Sequence, residues 1–154
     1  MKIVDITGSR FDGADKSVAL LPVGSVERHG DHLPLGTDGT IPTHIAERAG
    51  DVLKCLVLPV VWYGSCKAMR EFPGTFDIDS EALYKYLQSI MAEAHRNGVK
   101  LLVVINGHGG NTTPISMAAR GGLEQYGSLG HCAGLVEGAR HREAQDIHLA
   151  WPRR

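Results

Sequence analysis

Three runs of apolar residues divide the chain and predict three β-strands. They cover residues 18–23, 56–61 and 101–105, and each is apolar at successive rather than alternate positions. This pattern is typical of strands buried on both faces, as in a parallel sheet covered by helices. Pro22 and Pro59 suit strand ends or edges, because proline cannot donate a hydrogen bond to a neighbouring strand.

Helical spacing of apolar residues lies between and after these runs. It predicts helices over residues 41–49 with Thr40 as N-cap, over residues 80–97 with Asp79 or Ser80 as N-cap, and from Thr113 to a stop at Gly121-Gly122. Asn97-Gly98 supplies the left-handed stop of the second helix. The alternation of strand and helix predicts an α/β fold with a mostly parallel sheet.

Composition restricts the classes of function. The chain has 154 residues, 43% hydrophobic and 21% charged, which fits one soluble globular domain. Its formal net charge is −1 and it lacks a basic stripe, so we expect no nucleic-acid partner. Three scattered cysteines, the lack of a leader-like N-terminus and the lack of a long apolar segment predict a cytoplasmic protein without a membrane partner.

Two loops rich in metal-binding side chains follow the first and third strands. Residues 24–38 contain Glu27, His29, Asp31, His32 and Asp38, and His108 follows the third strand. The carboxyl ends of parallel strands meet at one sheet edge, so both loops are expected there. Imidazole and carboxylate groups suit zinc, manganese or similar ions.

The spacing of these donors is compatible with two neighbouring metal ions. Glu27 and His29 are two residues apart, so in an extended loop one side chain serves each ion. Asp38 has two oxygens that can bridge both ions, and His108 can complete the first site. Positions left open to water predict hydrolysis.

Each element of this interpretation has an alternative. Taken alone, His108 is more often a packed or capping residue, and Asp38 can cap the helix that follows it. Gly107, Gly109 and Gly110 can form a phosphate-binding turn before a helix. Two donor-rich loops at one sheet edge favour the metal interpretation over these.

At these residues the chain resembles the creatininase (creatinine amidohydrolase) family. Residues 24–38 match the family pattern Gly-Ser-x-Glu-x-His-Gly-x-His-Leu-Pro-x-x-Thr-Asp throughout. Residues 106–111 match Asn-Gly-His-x-x-Asn, and residues 72–75 match a shorter element, Phe-Pro-Gly-Thr. The resemblance covers about residues 18–120.

The resemblance implies a three-layer α/β/α sandwich, often assembled into homo-oligomeric hexamers, with a binuclear Zn²⁺ or Mn²⁺ centre. It implies that Glu27, Asp38 and His108 hold one ion and that His29 and Asp38 hold the other. His32 is then a residue near the site, and we assign catalytic roles to His32 and Glu137.

The chain departs from the family in four ways. Creatininases proper have a second-metal glutamate where this chain has Gly110, and the histidine usual before Phe-Pro-Gly-Thr is missing from residues 66–71. Glu137 alone represents a later acidic segment, and the chain is shorter than typical members. We therefore predict a family domain over residues 1–126, truncated at its C-terminus, and a divergent tail over residues 127–154.

These features predict a metal-dependent amidohydrolase that cleaves a non-peptide C–N bond in a small cyclic amide or formamide, through hydroxide generated on the metal. A formamide deformylase of flavin or deazaflavin precursor synthesis is an alternative, since relatives with Gly-Gly in the second motif include it. An inactive truncated member that binds metal and assembles with other subunits is another. A phosphate-binding module is the third.

Overall fold

A parallel three-stranded sheet forms the centre of the fold. The computed structural model describes residues 1–126, with side chains as far as residue 121. Strands β1 (Val18–Val23), β2 (Leu56–Val57) and β3 (Leu101–Asn106) lie in the order β2-β1-β3, and both pairings are parallel. The β1–β3 register brings the last residues of both strands level, because Val23 pairs with Asn106.

Four α-helices and three short 3₁₀ turns complete the described residues. The helices are α1 (Gly8–Asp12), α2 (Thr37–Leu53), α3 (Ser80–Arg96) and α4 (Thr112–Tyr126), and the 3₁₀ turns are Ile3–Asp5, Lys67–Met69 and Gly109–Asn111. Within residues 1–126, every helix is too short or too polar to cross a bilayer.

The sheet is covered on both faces, so the predicted three-layer α/β/α sandwich is confirmed. Alternate residues of a strand point to opposite faces. Leu21 packs with Leu87 of α3 and Ile115 of α4 in the larger core cluster. Leu20 packs with Ala46 of α2 in the smaller one.

Helix α3 begins as predicted, and Asp79 is its cap. The Asp79 carboxylate accepts hydrogen bonds from the backbone N–H of Glu81 (2.9 Å) and Ala82 (3.1 Å). Such a cap stabilises a helix by about 1 kcal/mol. The predicted left-handed residue after the helix is also present, because Gly98 has φ +89°.

Strand β2 is shorter than the six-residue strand that the apolar run predicts. The ladder ends at Val57, two residues before Pro59, which has no N–H to donate. The chain still runs alongside β1, since the Leu58 N–H donates to the Leu20 carbonyl (2.8 Å) and the Val61 N–H to the Pro22 carbonyl (3.0 Å). The loop after this segment therefore leaves the sheet beside the loop after β1.

Helix α2 begins four residues earlier than predicted, and Thr40 is not its cap. Gly36 is the N-cap residue, and the Thr40 hydroxyl donates to the Gly36 carbonyl (3.0 Å) from within the first turn. The apolar periodicity starts only at Ile41, because the first turn, which carries Asp38, faces the loops instead of the core. This extra turn places Asp38 at the sheet edge.

Helix α4 does not stop at Gly121-Gly122 as predicted but continues to Tyr126. A β-carbon on Gly121 would lie 2.8 Å from Gln88 Nε2 and 3.4 Å from the Tyr84 hydroxyl, both on α3. Gly121 therefore lets the two helices approach closely instead of ending one of them.

Candidate metal centre at the carboxyl edge of the sheet

Three loops meet where the parallel strands end. They follow β1 (residues 24–36), β2 (residues 58–79) and β3 (residues 107–108). The first loop supplies Glu27 and His29, and the third supplies His108. Asp38 joins them from the first turn of α2. All four predicted metal ligands are thus brought together, although their role as ligands stays a prediction.

A buried asparagine fastens the three loops to one another. The Asn111 side chain is fully buried, and its Oδ1 accepts from the Ser65 N–H (2.9 Å). Its Nδ2 donates to the Gly24 carbonyl (2.9 Å). Since buried polar groups are costly when unpaired, these bonds hold the loops in one relative position.

Asp38 lies between the two histidines, and each of its oxygens faces one of them. Oδ1 is 3.0 Å from His29 Nε2, and Oδ2 is 2.9 Å from His108 Nδ1. The Ser25 hydroxyl donates to Oδ2 at 3.0 Å, and Ser25 is fully buried. The carboxylate is therefore fixed in an orientation that offers one oxygen to each side.

The two histidines are oriented by backbone carbonyls. His29 Nδ1 lies 3.1 Å from the Glu27 carbonyl, and His108 Nε2 lies 3.1 Å from the Ser65 carbonyl. A carbonyl can only accept, so each of these nitrogens carries the proton. The opposite nitrogen of each ring faces the carboxylates, which is the usual arrangement of a metal-binding histidine.

The charges of the site shift two pKa values in opposite directions. Burial acts to lower the pKa of His108, but hydrogen bonds with Asp38 and Cys66 and the charge of Glu27 outweigh it and raise that pKa to about 10. Burial acts to raise the pKa of Asp38, but hydrogen bonds from His108 and Ser25 and the charges of both histidines hold it below its usual value. The carboxylates therefore favour a positive charge between them, whether a proton or a metal ion carries it.

Glu27 is a further sign that a cation belongs here. The residue is 7% exposed, and its Oε1 lies 3.4 Å from His108 Nδ1 and 3.8 Å from His29 Nε2. Its Oε2 is buried without a hydrogen-bond partner. A buried carboxylate oxygen without a partner is costly unless a cation binds it. These residues therefore fit a divalent ion.

The donor atoms form two groups that share Glu27. One contains Glu27, His29 and Asp38, the other contains Glu27, Cys66 and His108, and within each group the atoms lie within 4.8 Å of one another. Sequence reasoning missed the proximity of Cys66 and the role of Ser25. Ser25 lies inside the first motif, so its position there was a usable signal, whereas the sequence around Cys66 carries none.

Of the two predicted catalytic residues, the structure describes only His32, which lies outside this group of donors. His32 is solvent-exposed on the loop after β1, and Glu137 lies outside the described residues. Asp31, a further donor in the first motif, has a side chain that is 90% exposed and pairs with Arg28. The catalytic roles of His32 and Glu137 stay predictions.

Two of the three alternatives weighed above, an Asp38 cap and a phosphate-binding turn, are not favoured by the geometry. Asp38 does not cap α2, because Gly36 is the N-cap and the carboxylate contacts His29, His108 and Ser25 instead. Close packing explains Gly107 and Gly110, since a β-carbon would lie 2.0 Å from the Asp38 carbonyl oxygen at Gly107 and 2.0 Å from the Ser65 carbonyl oxygen at Gly110. A phosphate-binding turn is not needed to account for these two glycines.

Gly110 cannot accept a side chain without movement of its neighbours. A β-carbon there would lie 2.0 Å from the Ser65 carbonyl oxygen and 2.7 Å from His108 Nε2. Real β-carbon contacts are essentially never shorter than 3.0 Å. This is the position at which creatininases proper are expected to have a metal-binding glutamate.

We expect Gly110→Glu to damage the site instead of adding a ligand. The new side chain would push the Ser65 carbonyl from His108, at a cost of about 1–3 kcal/mol or more. Urea denaturation and metal content check this, with Gly13→Glu as control, because a β-carbon on Gly13 meets only the Ser9 carbonyl oxygen at 4.0 Å. Unchanged stability together with increased metal content would contradict the prediction.

Known proteins of similar sequence are hydrolases by name. The chain is 35% identical over 100 residues to the creatinine amidohydrolase of Pseudomonas putida, covering 62% of this chain and 38% of the relative. It is 37% identical over 128 residues to a mycofactocin precursor peptide peptidase of Mycobacterium ulcerans, covering 75% and 48%. It is 29% identical over 111 residues to a 2-amino-5-formylamino-6-ribosylaminopyrimidin-4(3H)-one 5'-monophosphate deformylase of Methanococcus maripaludis, covering 69% and 48%.

Solved creatininase structures share the fold. A crystal structure of creatinine amidohydrolase matches with a TM-score of 0.80 and 28% identity, covering 86% of this chain and 56% of that one. Structures described as creatininase Mn and as a Zn–Zn type creatininase mutant match with TM-scores of 0.80 and 0.79 at 27% identity, each covering 86% of this chain and 56% of that one.

The family match extends over most of this chain, although the relatives are longer proteins. The chain spans less than half the length of the curated relatives described above. The family model for creatininase, described as creatinine amidohydrolase, matches residues 5–150. That range includes the described residues from 5 onward and continues into the predicted tail, so the division at residue 126 stays a prediction. Because the model matches most of the chain, this protein belongs to the creatinine amidohydrolase (creatininase) family.

Proposed function

We propose that this protein is a metal-dependent amidohydrolase that cleaves a non-peptide C–N bond in a small cyclic amide or formamide. Its ions, Zn²⁺ or Mn²⁺ and up to two per chain, would be held by Glu27, His29, Asp38 and His108. The observation that carries the proposal is the arrangement of His29 and His108. In each ring one nitrogen contacts a backbone carbonyl, and the other nitrogen faces the carboxylates.

This arrangement supports cation binding for an electrostatic reason. When a backbone carbonyl holds the proton on one nitrogen of a neutral ring, the other nitrogen presents a lone pair to carboxylate oxygens that also carry lone pairs. At 2.9 and 3.0 Å such contacts are favourable only if a proton or a metal ion lies between the atoms. A metal ion can take the place of the proton that His108 otherwise holds.

The residues of the chain would hold the ions, align the ligands and protonate the leaving nitrogen. A divalent ion supplies acidity to bound water and polarises a carbonyl oxygen. Asp38 can hold two ions because its oxygens face opposite sides, and Ser25 and the backbone carbonyls keep the ligands aligned. The leaving nitrogen needs a proton from a further group, and His32 and Glu137 remain our proposed candidates.

Two other substrates compete with a cyclic amide. The deformylase relative favours a formamide as the alternative. The peptidase relative, which aligns with 75% of this chain at 37% identity, favours a peptide amide. All three are amide C–N bonds, so the same metal chemistry serves each of them, and the shape of the substrate decides between them.

A non-enzymatic role is the competing class of function. The chain aligns with 38–48% of the lengths of the relatives described above. A domain of this extent that keeps the donor residues can bind metal as an inactive subunit of a mixed assembly. Metal binding without hydrolysis favours this role.

Metal content and hydrolysis together test the proposal. Purified protein is dialysed gently, its zinc and manganese are counted by elemental mass spectrometry, and it is then assayed with creatinine, a formylamino-pyrimidine and a short peptide. We expect one to two ions per chain and hydrolysis of creatinine or the formylamino-pyrimidine that a chelator abolishes, whereas hydrolysis of the peptide alone would contradict the proposed non-peptide bond. A protein that binds no divalent ion would refute the proposal, and metal without turnover of any of the three would favour the inactive subunit.

The partners we propose are a small-molecule substrate and further copies of the same chain. Several large apolar side chains are exposed on the loops that follow β1 and β2, namely Leu33, Leu35, Trp62, Tyr63, Phe72 and Phe76. Exposed apolar surface of this kind often marks an interface. Sedimentation velocity that gives only the 16.6 kDa monomer would refute the homo-oligomer.

A further inference from the structure

A buried thiol lies beside the Glu27–His108 half of the site. Cys66 is 1% exposed and comes from the loop after β2, where its backbone N–H donates to Asp77 Oδ1 at 2.8 Å. Its Sγ belongs to the donor group with Glu27 and His108, whose ligand atoms all lie within 4.8 Å of one another. The backbone bond to Asp77 holds the cysteine in this position.

The surroundings of Cys66 differ from those of an ordinary core cysteine. A buried free cysteine usually behaves as a small apolar side chain among other apolar side chains. Here the thiol donates to the Gly64 carbonyl (3.7 Å) and lies near an imidazole and a carboxylate, and the Oε2 atom of that carboxylate, Glu27, is buried without a hydrogen-bond partner. Packing alone does not explain why these polar groups converge on the thiol.

A cavity gives this group access to a ligand. It has a volume of about 300 Å³ and is lined by Glu27, Cys66, His108 and Gly110, among others. An ion held by the three donors would therefore adjoin this cavity, and a catalytic metal site needs such access for water or substrate.

The three donors would offer sulfur, nitrogen and oxygen to an ion. Zinc–sulfur and zinc–nitrogen bonds are about 2.3 and 2.0 Å long, so the donor atoms would move closer together on binding. A thiolate is a soft ligand that favours Zn²⁺ and disfavours Mn²⁺. The thiol would release its proton to solvent on binding.

We propose that Cys66 is a thiolate ligand of the metal position formed by Glu27 and His108, and that it makes this position selective for Zn²⁺ over Mn²⁺. The proposal rests on the metal dependence proposed above and adds a ligand beyond the four residues named there. Cys66 would thus supply a ligand in a site to which Gly110, lacking a side chain, contributes none.

Cobalt substitution tests the assignment without an activity assay. Co²⁺ replaces Zn²⁺ in such sites, and a thiolate ligand gives it a strong charge-transfer absorption in the near ultraviolet. We expect this band in the wild-type protein and in Cys55→Ser, a matched control at another buried cysteine. Cys66→Ser should lose the band while keeping the weaker visible absorption of bound Co²⁺.

Zinc affinity gives a second readout of the same variants. Mutation of a residue that only hydrogen-bonds to a metal ligand lowers metal affinity by about 10–100-fold. Loss of a ligand, the Cys66 thiolate, should therefore weaken zinc binding at least about tenfold. Manganese affinity should change much less in Cys66→Ser. Equal loss for both metals would overturn the proposed selectivity.

A measurement on the unmodified protein covers the case in which Cys66→Ser fails to fold. X-ray absorption of the zinc-loaded wild type should show sulfur at about 2.3 Å from zinc. Cys132→Ser should leave that signal unchanged, which excludes the third cysteine as its source. Zinc bound without sulfur, or a band that survives Cys66→Ser, would overturn the role of Cys66 alone, whereas a wild type that binds no metal would overturn the proposed function as well.

Discussion

Asp38→Asn is expected to abolish tight metal binding with little effect on the fold. The substitution keeps the shape of the side chain but removes its charge and replaces one of its two acceptor oxygens with a donor group. Those oxygens lie 3.0 Å from His29 Nε2 and 2.9 Å from His108 Nδ1, so both halves of the site lose a ligand at once. Mutation of a residue that only hydrogen-bonds to a metal ligand lowers metal affinity by about 10–100-fold, and we expect a larger loss here.

The matched control for this variant is Asp31→Asn. Asp31 lies in the same loop region and undergoes the same chemical change, but its side chain is 90% exposed and pairs with Arg28. Isothermal titration with Zn²⁺ and elemental analysis compare the two variants. If Asp38→Asn bound metal as tightly as Asp31→Asn, Asp38 would not be a ligand and the proposed centre would be wrong.

Strands β1 and β3 were predictable because consecutive residues of each are buried. Strand β1 has the predicted bounds and β3 extends one residue further, since both strands carry apolar cover on each face of the sheet. Strand β2 was overestimated because apolar content alone does not show that Pro59 interrupts the ladder. Hydrogen bonding, rather than hydrophobicity, decides where an edge strand ends.

The helix errors occur where a side chain serves something other than the core. The first turn of α2 was missed because Asp38 faces the donor group and Gly39 packs against Trp62, where a β-carbon would lie 2.4 Å from the indole ring. The end of α4 was misplaced because Gly121 serves close packing against α3. The apolar periodicity of a helix reflects its burial against the core. It therefore does not reveal a helical turn or a glycine whose contacts lie elsewhere.

The candidate site was predicted in its residues but not in its geometry. The first motif and His108 identified four donors, because ligand-rich loops after parallel strands converge at one edge. The motifs do not show that Glu27 is shared between two donor groups or that Cys66 reaches one of them. Both depend on how the loop after β2 is fastened by Asn111 to the other two, a contact between residues distant in sequence.

Gly107→Ala is expected to lower both the stability of the fold and the metal affinity of the site. A β-carbon at this position would lie 2.0 Å from the Asp38 carbonyl oxygen and 2.7 Å from Pro42 Cγ, so the end of β3 and the first turn of α2 would have to separate. Overpacking typically costs about 1–3 kcal/mol, and a clash with backbone should reach the upper end of that range. Because the displaced turn carries Asp38, metal affinity should fall together with stability.

Gly8→Ala is the matched control, since a β-carbon there meets no atom within 4 Å. Its free energy of unfolding should stay within about 0.5 kcal/mol of the wild-type value. Urea denaturation in the presence of a chelator measures both variants without the stabilisation that bound metal adds. If Gly107→Ala were as stable as Gly8→Ala and kept its metal, the close contact between the loop after β3 and α2 would not be needed to hold Asp38 in the site.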